Sequence, residues 1–309
     1  MTVLLGSTVG SAEKWIEPIK KELPDEVLRN DLESSDLNDV DILLLGHKVS
    51  GIYQKLPNLQ LIIGLQAGVD TILNDPELPF HVPIVRACRP NGDQMITEYV
   101  LMNVMFHHRN MPFFLKNQRL HIWKKPNVLE AGERSVGFMG FGLIAKPCGM
   151  MVSKAGFQVA CWTRNPKQVE GIKNFFGNSG LRPFLEQTDI LVNILPLTPD
   201  TENLLNLETF GMLPEGAKFI NIGRGQHVVD KDLVTALDSG QLDGATLDVY
   251  REEPLPKDHP FWDHPKITLM PHTARKTRPK EIIPQVSENI RRFRSGKPLL
   301  QIVDRLNKY

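Results

Sequence analysis

No run of apolar residues in this chain is long enough to span a bilayer, and neither sign of charge is in excess: 36 Lys and Arg balance 36 Asp and Glu over 309 residues. That balance removes the usual electrostatic grounds for binding nucleic acid or an anionic membrane, so small molecules are the expected partners. Only three cysteines are present, Cys88, Cys148 and Cys161. Their spacing suits neither a disulfide framework nor a zinc site, and their apolar neighbours predict buried thiols in a reducing compartment. The opening Met1–Gly6 has no basic segment and too short an apolar core for a signal peptide, so a cytoplasmic location is expected. Metal-binding patterns are missing as well. His107 and His108 are adjacent, point to different faces of a helix, cannot chelate one ion side by side, and are read as surface histidines. Internal repeats, low-complexity segments and a Gly-Lys-Ser/Thr phosphate loop are also absent.

What is present is a chain long enough for two cores, with short apolar runs separated by crossover-length segments. Strands are predicted at Thr2–Leu5, Asp41–Leu45, Leu59–Gly64 and Pro83–Ala87, which makes the first part a small α/β domain. A second series, Val136–Met139, Gln158–Trp162, Asp189–Leu195, Lys218–Ile222, Gly244–Val249 and Lys266–Met270, alternates with helical segments and predicts a doubly wound parallel sheet. Between the two, Met95, Tyr99, Met102, Met105 and Phe106 recur at helical spacing from Asp93 to Arg109. This long helix is read as the crossing between domains, with Met95, Met102 and Met105 as core. The closing amphipathic helix, Glu281–Lys297, packs Ile282, Ile283, Val286, Ile290 and Phe293 on one face. Arg291, Arg292 and Arg294 are placed on its wet face.

The chemistry begins at Gly140-Phe141-Gly142-Leu143-Ile144-Ala145, where an apolar strand runs into a glycine pair and then a helix. Gly140 allows the tight turn, Gly142 lets a pyrophosphate approach the main chain, and the free N–H groups of the first helical turn face its charge. Pro147 should bend or shorten that helix unless it lies in the first turn. At the end of the next strand, where a ribose carboxylate usually marks an NAD site, the chain has Thr163-Arg164-Asn165-Pro166-Lys167. Cations in place of an acid point to NADP(H), carried by Arg164 with Thr163 and Lys167 assisting.

Other polar residues fall just after predicted strands. Arg224 follows Asn221-Ile222-Gly223, Asp248 closes the fifth strand of the second series, Glu253 lies in the loop beyond, and His272 follows the sixth. Singly these read as a surface ion pair, a solvated acid and a core histidine. Together, beside a dinucleotide turn, they read as one crevice at the carboxyl ends of the strands. The turn Gly64-Leu65-Gln66-Ala67-Gly68-Val69-Asp70 reads equally as an anion nest for a carboxylate or as a plain strand-to-helix turn.

Taken in order, Leu65–Asp70, Gly140–Ala145, Leu195-Pro196-Leu197-Thr198-Pro199, Asn221–Gly225, Leu247-Asp248-Val249 with Glu253-Pro254-Leu255-Pro256, and Pro271-His272 make the chain resemble the D-isomer-specific 2-hydroxyacid dehydrogenases. Within these, it is most similar to the NADP-dependent glyoxylate/hydroxypyruvate reductases. The resemblance implies a Rossmann-type doubly wound domain (residues 98–277) inserted into a smaller flavodoxin-like α/β substrate domain (1–97 and 278–309), and a homodimer formed largely through the nucleotide domains. It implies Arg224 on the substrate carboxylate and carbonyl, His272 as acid/base with Glu253 as its partner, and Ala67 and Gly68 on the carboxylate. The implied cofactor contacts are Gly140, Phe141, Gly142, Leu143, Ile144, Thr163, Arg164, Lys167, Leu195, Pro196, Ile222, Gly223 and Asp248, the last near the nicotinamide carboxamide, with no metal. The expected reaction is NADPH-dependent reduction of glyoxylate or hydroxypyruvate to a D-2-hydroxy acid. The alternatives are a reductase of bulkier aromatic or branched 2-keto acids, or a dinucleotide-sensing regulator on the same fold. Arg275 and Lys276 stand where related sequences often have small or apolar residues, as a cation near the cleft or as side chains facing water.

Overall fold

The apolar runs form two all-parallel sheets in the computed structural model, which describes residues 2–8, 11–34, 36–89 and 92–305. The chain divides into two compact units, one of residues 1–90 with 277–309 and one of residues 91–276. The sequence boundary at 97 falls inside a helix, Gln94–His108, that lies whole in the second unit, so this helix is not the crossing.

The first unit contains β1 (Thr2–Ser7), α1 (Glu13–Glu22), β2 (Val27–Arg29), β3 (Val40–Leu45), β4 (Leu61–Gly64), α2 (Asp70–Leu73) and β5 (Ile84–Arg86). Its sheet order is β2-β1-β3-β4-β5, the flavodoxin-like order. Continuous apolar strands such as Leu61–Gly64 are wetted on neither face, as a parallel sheet with helices on both sides requires. Trp15 and Ile19 of α1 share one core with Ile282, Ile283, Val286 and Ile290 of the closing helix (Pro279–Arg294). Of the arginines assigned to that helix's wet face, Arg294 is not solvated. It makes a two-pronged pair with Glu26, 2.8 Å at each prong, and also bonds Asp41. Tying down the last turn in this way requires a long side chain that the helical period places near, but not on, the apolar stripe.

The second unit contains α3 (Gln94–His108), α4 (Met111–Arg119), β6 (Ser135–Met139), α5 (Ala145–Lys154), β7 (Gln158–Thr163), β8 (Lys173–Phe176), α6 (Gly177–Leu185), β9 (Ile190–Asn193), α7 (Leu207–Gly211), β10 (Ala217–Asn221), α8 (Asp230–Asp238), β11 (Leu242–Leu247) and β12 (Ile267–Leu269); the closing helix of the first unit is α9. Its sheet order, β12-β11-β10-β9-β6-β7-β8, reverses direction of growth at β6, the topological switch point of a Rossmann-type sheet. The register aligns the strand ends: Met139 pairs with Asn193, Asn193 with Asn221, Asn221 with Leu247, and Leu247 with Leu269. The loops that follow these residues therefore emerge side by side.

Helix α3 buries Ile96, Val100, Asn103, Val104 and His107, while Met102 and Met105 are exposed. The predicted core stripe is thus on the wrong face, because the helix is apolar nearly all round and its period does not select a side. His107 and His108 are buried, not surface residues. The His107 ring lies 2.9 Å from the Thr246 hydroxyl, and burial pushes its imidazole down to about 3. His108 stands edge-on to Phe157. All three cysteines are buried and none is joined in a disulfide. No helix among the described residues is long and apolar enough to cross a membrane.

Candidate active site

His272 follows β12 with φ +51, a left-handed conformation that costs a non-glycine residue roughly 1–3 kcal/mol. Its Nδ1 lies 2.6 Å from Glu253 Oε2, and Glu253 Oε1 accepts the Tyr250 N–H at 2.9 Å. A carboxylate only accepts, so Nδ1 carries the proton of this bond and Nε2 is the ring's outward position. The bond to Glu253 raises the His272 pKa against the opposing effect of burial. Burial pushes the Glu253 carboxyl up, but the bonds from His272 and Tyr250 outweigh it and leave the group below its usual range. The Arg224 charge lowers both pKa values, which places the three groups in one electrostatic neighbourhood.

Asp248 holds the histidine loop from behind. Its Oδ1 accepts the Thr273 N–H at 2.7 Å and the Tyr99 hydroxyl of α3 at 3.1 Å, while Oδ2 accepts the Ala274 N–H at 2.9 Å. With only 1% of its surface exposed, Asp248 clamps the two peptides that follow strained His272. Arg275 is neither a cation at a cleft nor a water-facing side chain. It is largely buried and pairs at 2.6 Å with Asp93, whose other oxygen caps α3 through the Met95 N–H. Lys276 is exposed.

Arg224 sits between two glycines for steric reasons. A Cβ on Gly225 would lie 1.9 Å from the Tyr250 carbonyl carbon, and one on Gly223 would lie 3.0 Å from both Asn193 Nδ2 and His227 Nδ1. The Arg224 Nη1 donates to the Gly223 carbonyl at 2.8 Å. Behind it, Asn193, Asn221 and His227 form a buried polar network. Leu195 belongs to the same network, its N–H donating to Asn193 Oδ1 at 3.3 Å, as do Ile222, whose N–H bonds the Asn193 carbonyl, and Pro196, whose carbonyl faces His227.

The glycine turn fits a dinucleotide. Gly140 has φ +86 and a Cβ there would press on the Ile194 carbonyl at 3.1 Å, whereas Gly142 has nothing within 4 Å above it. The N–H groups of Gly142, Leu143 and Ile144 donate to no described group, so they stand ready for an anion at the start of α5. Pro147 is the third residue of α5, in the first turn where no N–H is required, and the helix continues to Lys154. At the end of β7, Lys167 Nζ bonds the Phe141 carbonyl at 2.9 Å, and Arg164 makes a loose 3.4 Å pair with exposed Asp200. Thr163 is buried, with its hydroxyl donating to the Asn165 carbonyl and accepting from Asn174. Its hydroxyl is therefore committed to shaping the turn, and the two cations are the side chains presented there.

In the first unit, the loop after β4 is pinned by the Leu65 N–H on the Leu45 carbonyl and by Gln66 Nε2 on the Gly46 carbonyl, each at 2.7 Å. Ala67 and Gly68 are half-buried, and their N–H groups donate to no described group.

Comparison with known proteins identifies the family. The family model for the D-isomer specific 2-hydroxyacid dehydrogenase NAD binding domain matches residues 101–274. The chain belongs to this family. Glyoxylate/hydroxypyruvate reductase A of Yersinia enterocolitica is 33% identical over 314 residues, covering the whole of both chains. The structure of a D-isomer specific 2-hydroxyacid dehydrogenase from Xanthobacter autotrophicus Py2 in complex with NADPH and MES matches with a TM-score of 0.95 and 36% identity, over 100% of this chain and 99% of that one. An NADPH-dependent glyoxylate/hydroxypyruvate reductase from Sinorhizobium meliloti, in complex with NADP and sulfate, matches over the whole of both chains with a TM-score of 0.93 and 30% identity.

As a member of the 2-hydroxyacid dehydrogenases the protein is an oxidoreductase. Several of its site residues carried no sequence signal. Tyr99 meets Asp248 across 149 positions, His227 meets Asn193 across 34, and the Asp93–Arg275 pair is more remote still. Asn193 and Asn221 were within reach of sequence reasoning, since both close a strand of the sheet whose ends were singled out.

Proposed function

We propose that this dehydrogenase reduces small 2-keto acids, glyoxylate and hydroxypyruvate, to D-2-hydroxy acids with NADPH as the reductant. The observation that carries the reading is the 2.6 Å His272–Glu253 bond beside Arg224, at the aligned carboxyl ends of a Rossmann-type sheet. NADPH, when bound, supplies the hydride. Negative charge then develops on the carbonyl oxygen. The Arg224 guanidinium stabilises it, and His272 Nε2 delivers the proton that completes the alcohol. Glu253 favours the imidazolium before transfer and fixes the ring plane, which suits the reducing direction. To Ala67 and Gly68 we assign the substrate carboxylate, on the strength of their two available N–H groups.

Gly140 to Ile144 would hold the pyrophosphate. Arg164 and Lys167 would hold the 2′-phosphate, where the sequence offers no acid to repel it. Leu195, Pro196, Ile222 and Gly223 would line the nicotinamide half, and Asp248 would act there chiefly by holding the His272 loop. We place the enzyme in the cytoplasm as a homodimer. The exposed apolar side chains of Met102, Met105, Phe114, Leu115 and Trp123 in the nucleotide unit supply a surface for a second copy. The direct test is His272→Ala. Loss of general acid catalysis lowers kcat by about 100- to 10,000-fold with NADPH binding retained; turnover close to the unsubstituted enzyme would remove His272 from this role.

A further inference from the structure

His227 is the buried histidine at the centre of the strand ends, with no surface exposed. Its Nδ1 lies 3.1 Å from the Arg224 backbone N–H and 2.9 Å from Asn193 Nδ2. A backbone N–H only donates, so Nδ1 must be the acceptor and the ring's hydrogen sits on Nε2. Nε2 in turn lies 3.2 Å from the Pro196 carbonyl, which only accepts. The tautomer is thereby fixed, and each ring nitrogen serves a different loop.

The neighbouring amides complete the arrangement. Asn193 Nδ2 also donates to Asn221 Oδ1 at 2.9 Å, and Asn193 Oδ1 accepts the Leu195 N–H at 3.3 Å. Asn221 Oδ1 accepts the Gly223 N–H at 3.2 Å, and Asn221 Nδ2 donates to the Arg224 carbonyl at 3.1 Å. Arg224 is consequently held at both its N–H and its C=O by buried side chains, and the same network grips Leu195 and Pro196. Buried networks in which every member is satisfied fix one geometry and resist small displacements.

We propose that His227 is a positioning residue that couples the two halves of the reaction site, its Nδ1 setting the Arg224 loop and its Nε2 setting the Leu195–Pro196 loop. The proposal rests on the assignment of Arg224 to the keto acid and of Leu195–Pro196 to the cofactor. It adds that one imidazole holds both loops in mutual register, so that substrate and nicotinamide are located from a common point. Because a misplacement of about 1 Å costs on the order of 100-fold in rate, such coupling governs turnover without His227 touching either ligand.

Two conservative substitutions separate the two nitrogens. Asparagine presents its amide oxygen near the place of Nδ1 and has nothing at Nε2; glutamine presents its amide nitrogen near Nε2 and has no acceptor at Nδ1. His227→Asn is therefore expected to keep the KM for glyoxylate and to raise the NADPH dissociation constant, measured by nucleotide fluorescence, by about 10-fold for one lost hydrogen bond. His227→Gln is expected to keep the NADPH dissociation constant within about twofold and to lower kcat/KM for glyoxylate by about 10-fold. A residue that merely supports the fold would move both constants together in both variants, and that result, or no change in either variant, overturns the proposal. A second measurement needs no variant. Nitrogen-15 NMR of the histidine-labelled full-length enzyme should show the His227 ring protonated at Nε2 with Nδ1 bare; a ring protonated at Nδ1 overturns the proposal. The tautomer is read without substrate, so it stands even if the unsubstituted enzyme fails to turn over any small keto acid, a failure that would count against the proposed function instead.

Discussion

Gly225→Ala adds one methyl group where the chain has no space for it. Built on the observed backbone, the new carbon lies 1.9 Å from the Tyr250 carbonyl carbon, 2.2 Å from its oxygen and 2.3 Å from the Arg251 nitrogen. Carbon atoms settle at about 3.5 Å or beyond, so the two segments must separate by roughly 1.5 Å. Tyr250 does not yield readily, because its N–H is bonded to Glu253, its hydroxyl shares one proton between the Leu247 and Met270 carbonyls at 2.8 and 2.9 Å, and the same oxygen accepts the Met270 N–H at 3.1 Å. The displacement therefore falls on Arg224 or on the Tyr250–Glu253 turn, and either one separates the guanidinium from the His272–Glu253 pair. The expected result is a fall of about 100-fold or more in kcat/KM for a keto acid. The accompanying loss of folding stability, by denaturant titration, is about 1–3 kcal/mol. NADPH affinity is expected to change far less, since the glycine turn at Gly140–Ile144 and the cations at Arg164 and Lys167 belong to other strand ends. Gly211→Ala, at the end of α7 with nothing within 4 Å of the added carbon, is the matched control and should behave as the unsubstituted enzyme. Unchanged kcat/KM and stability in Gly225→Ala would refute the packing argument.

Glu253→Gln removes the group that raises the His272 pKa. Reduction needs the protonated ring, so its rate holds below that pKa and falls as pH rises through it. The substitution should move the alkaline limb of the kcat/KM profile to lower pH, and an unmoved limb would dissociate Glu253 from the histidine. Arg164→Ala should lower the ratio of NADPH to NADH efficiency by about 10-fold or more, the worth of one charge-assisted phosphate contact; an unchanged ratio would place the discrimination elsewhere. Tyr99→Phe deletes the hydroxyl donor to Asp248 while leaving the Thr273 and Ala274 N–H groups in place. A stability loss of roughly 1.5–3 kcal/mol with a several-fold lower kcat is expected, and no change in either would show that the backbone donors alone hold the loop.

The strands of both sheets were legible because a parallel sheet covered on both faces writes itself as apolar runs, as in Leu61–Gly64 and the Ile-Leu-Val of Ile190–Asn193. The edge strands β2 and β8 were not: Val27–Arg29 is three residues long, and Lys173–Phe176 mixes polar with half-exposed aromatic residues, as edges do. Strand-end logic singled out Arg224, Glu253 and His272, since in this topology a polar residue just beyond a strand has few other reasons to be there. The side chains that hold those residues escaped it. Tyr99, Asp93 and His227 lie on α3, at its cap and in the 3-10 turn Gly225–His227, and acquire their roles only when the register of β9, β10 and β11 brings distant segments together. Helix α3 shows the same limit in packing. Apolar residues on both faces name a helix but not its inner face, so Met102, Met105 and the two histidines were each assigned to the wrong side, while Met95 is half-buried.

The most direct test is the initial rate of NADPH oxidation with hydroxypyruvate and with glyoxylate, run beside NADH at equal concentration. Turnover of both keto acids with NADPH clearly preferred is the predicted result. No oxidation of NADPH by either keto acid, or faster oxidation of NADH, would contradict the account, the first in its substrate and the second in its reading of Arg164 and Lys167.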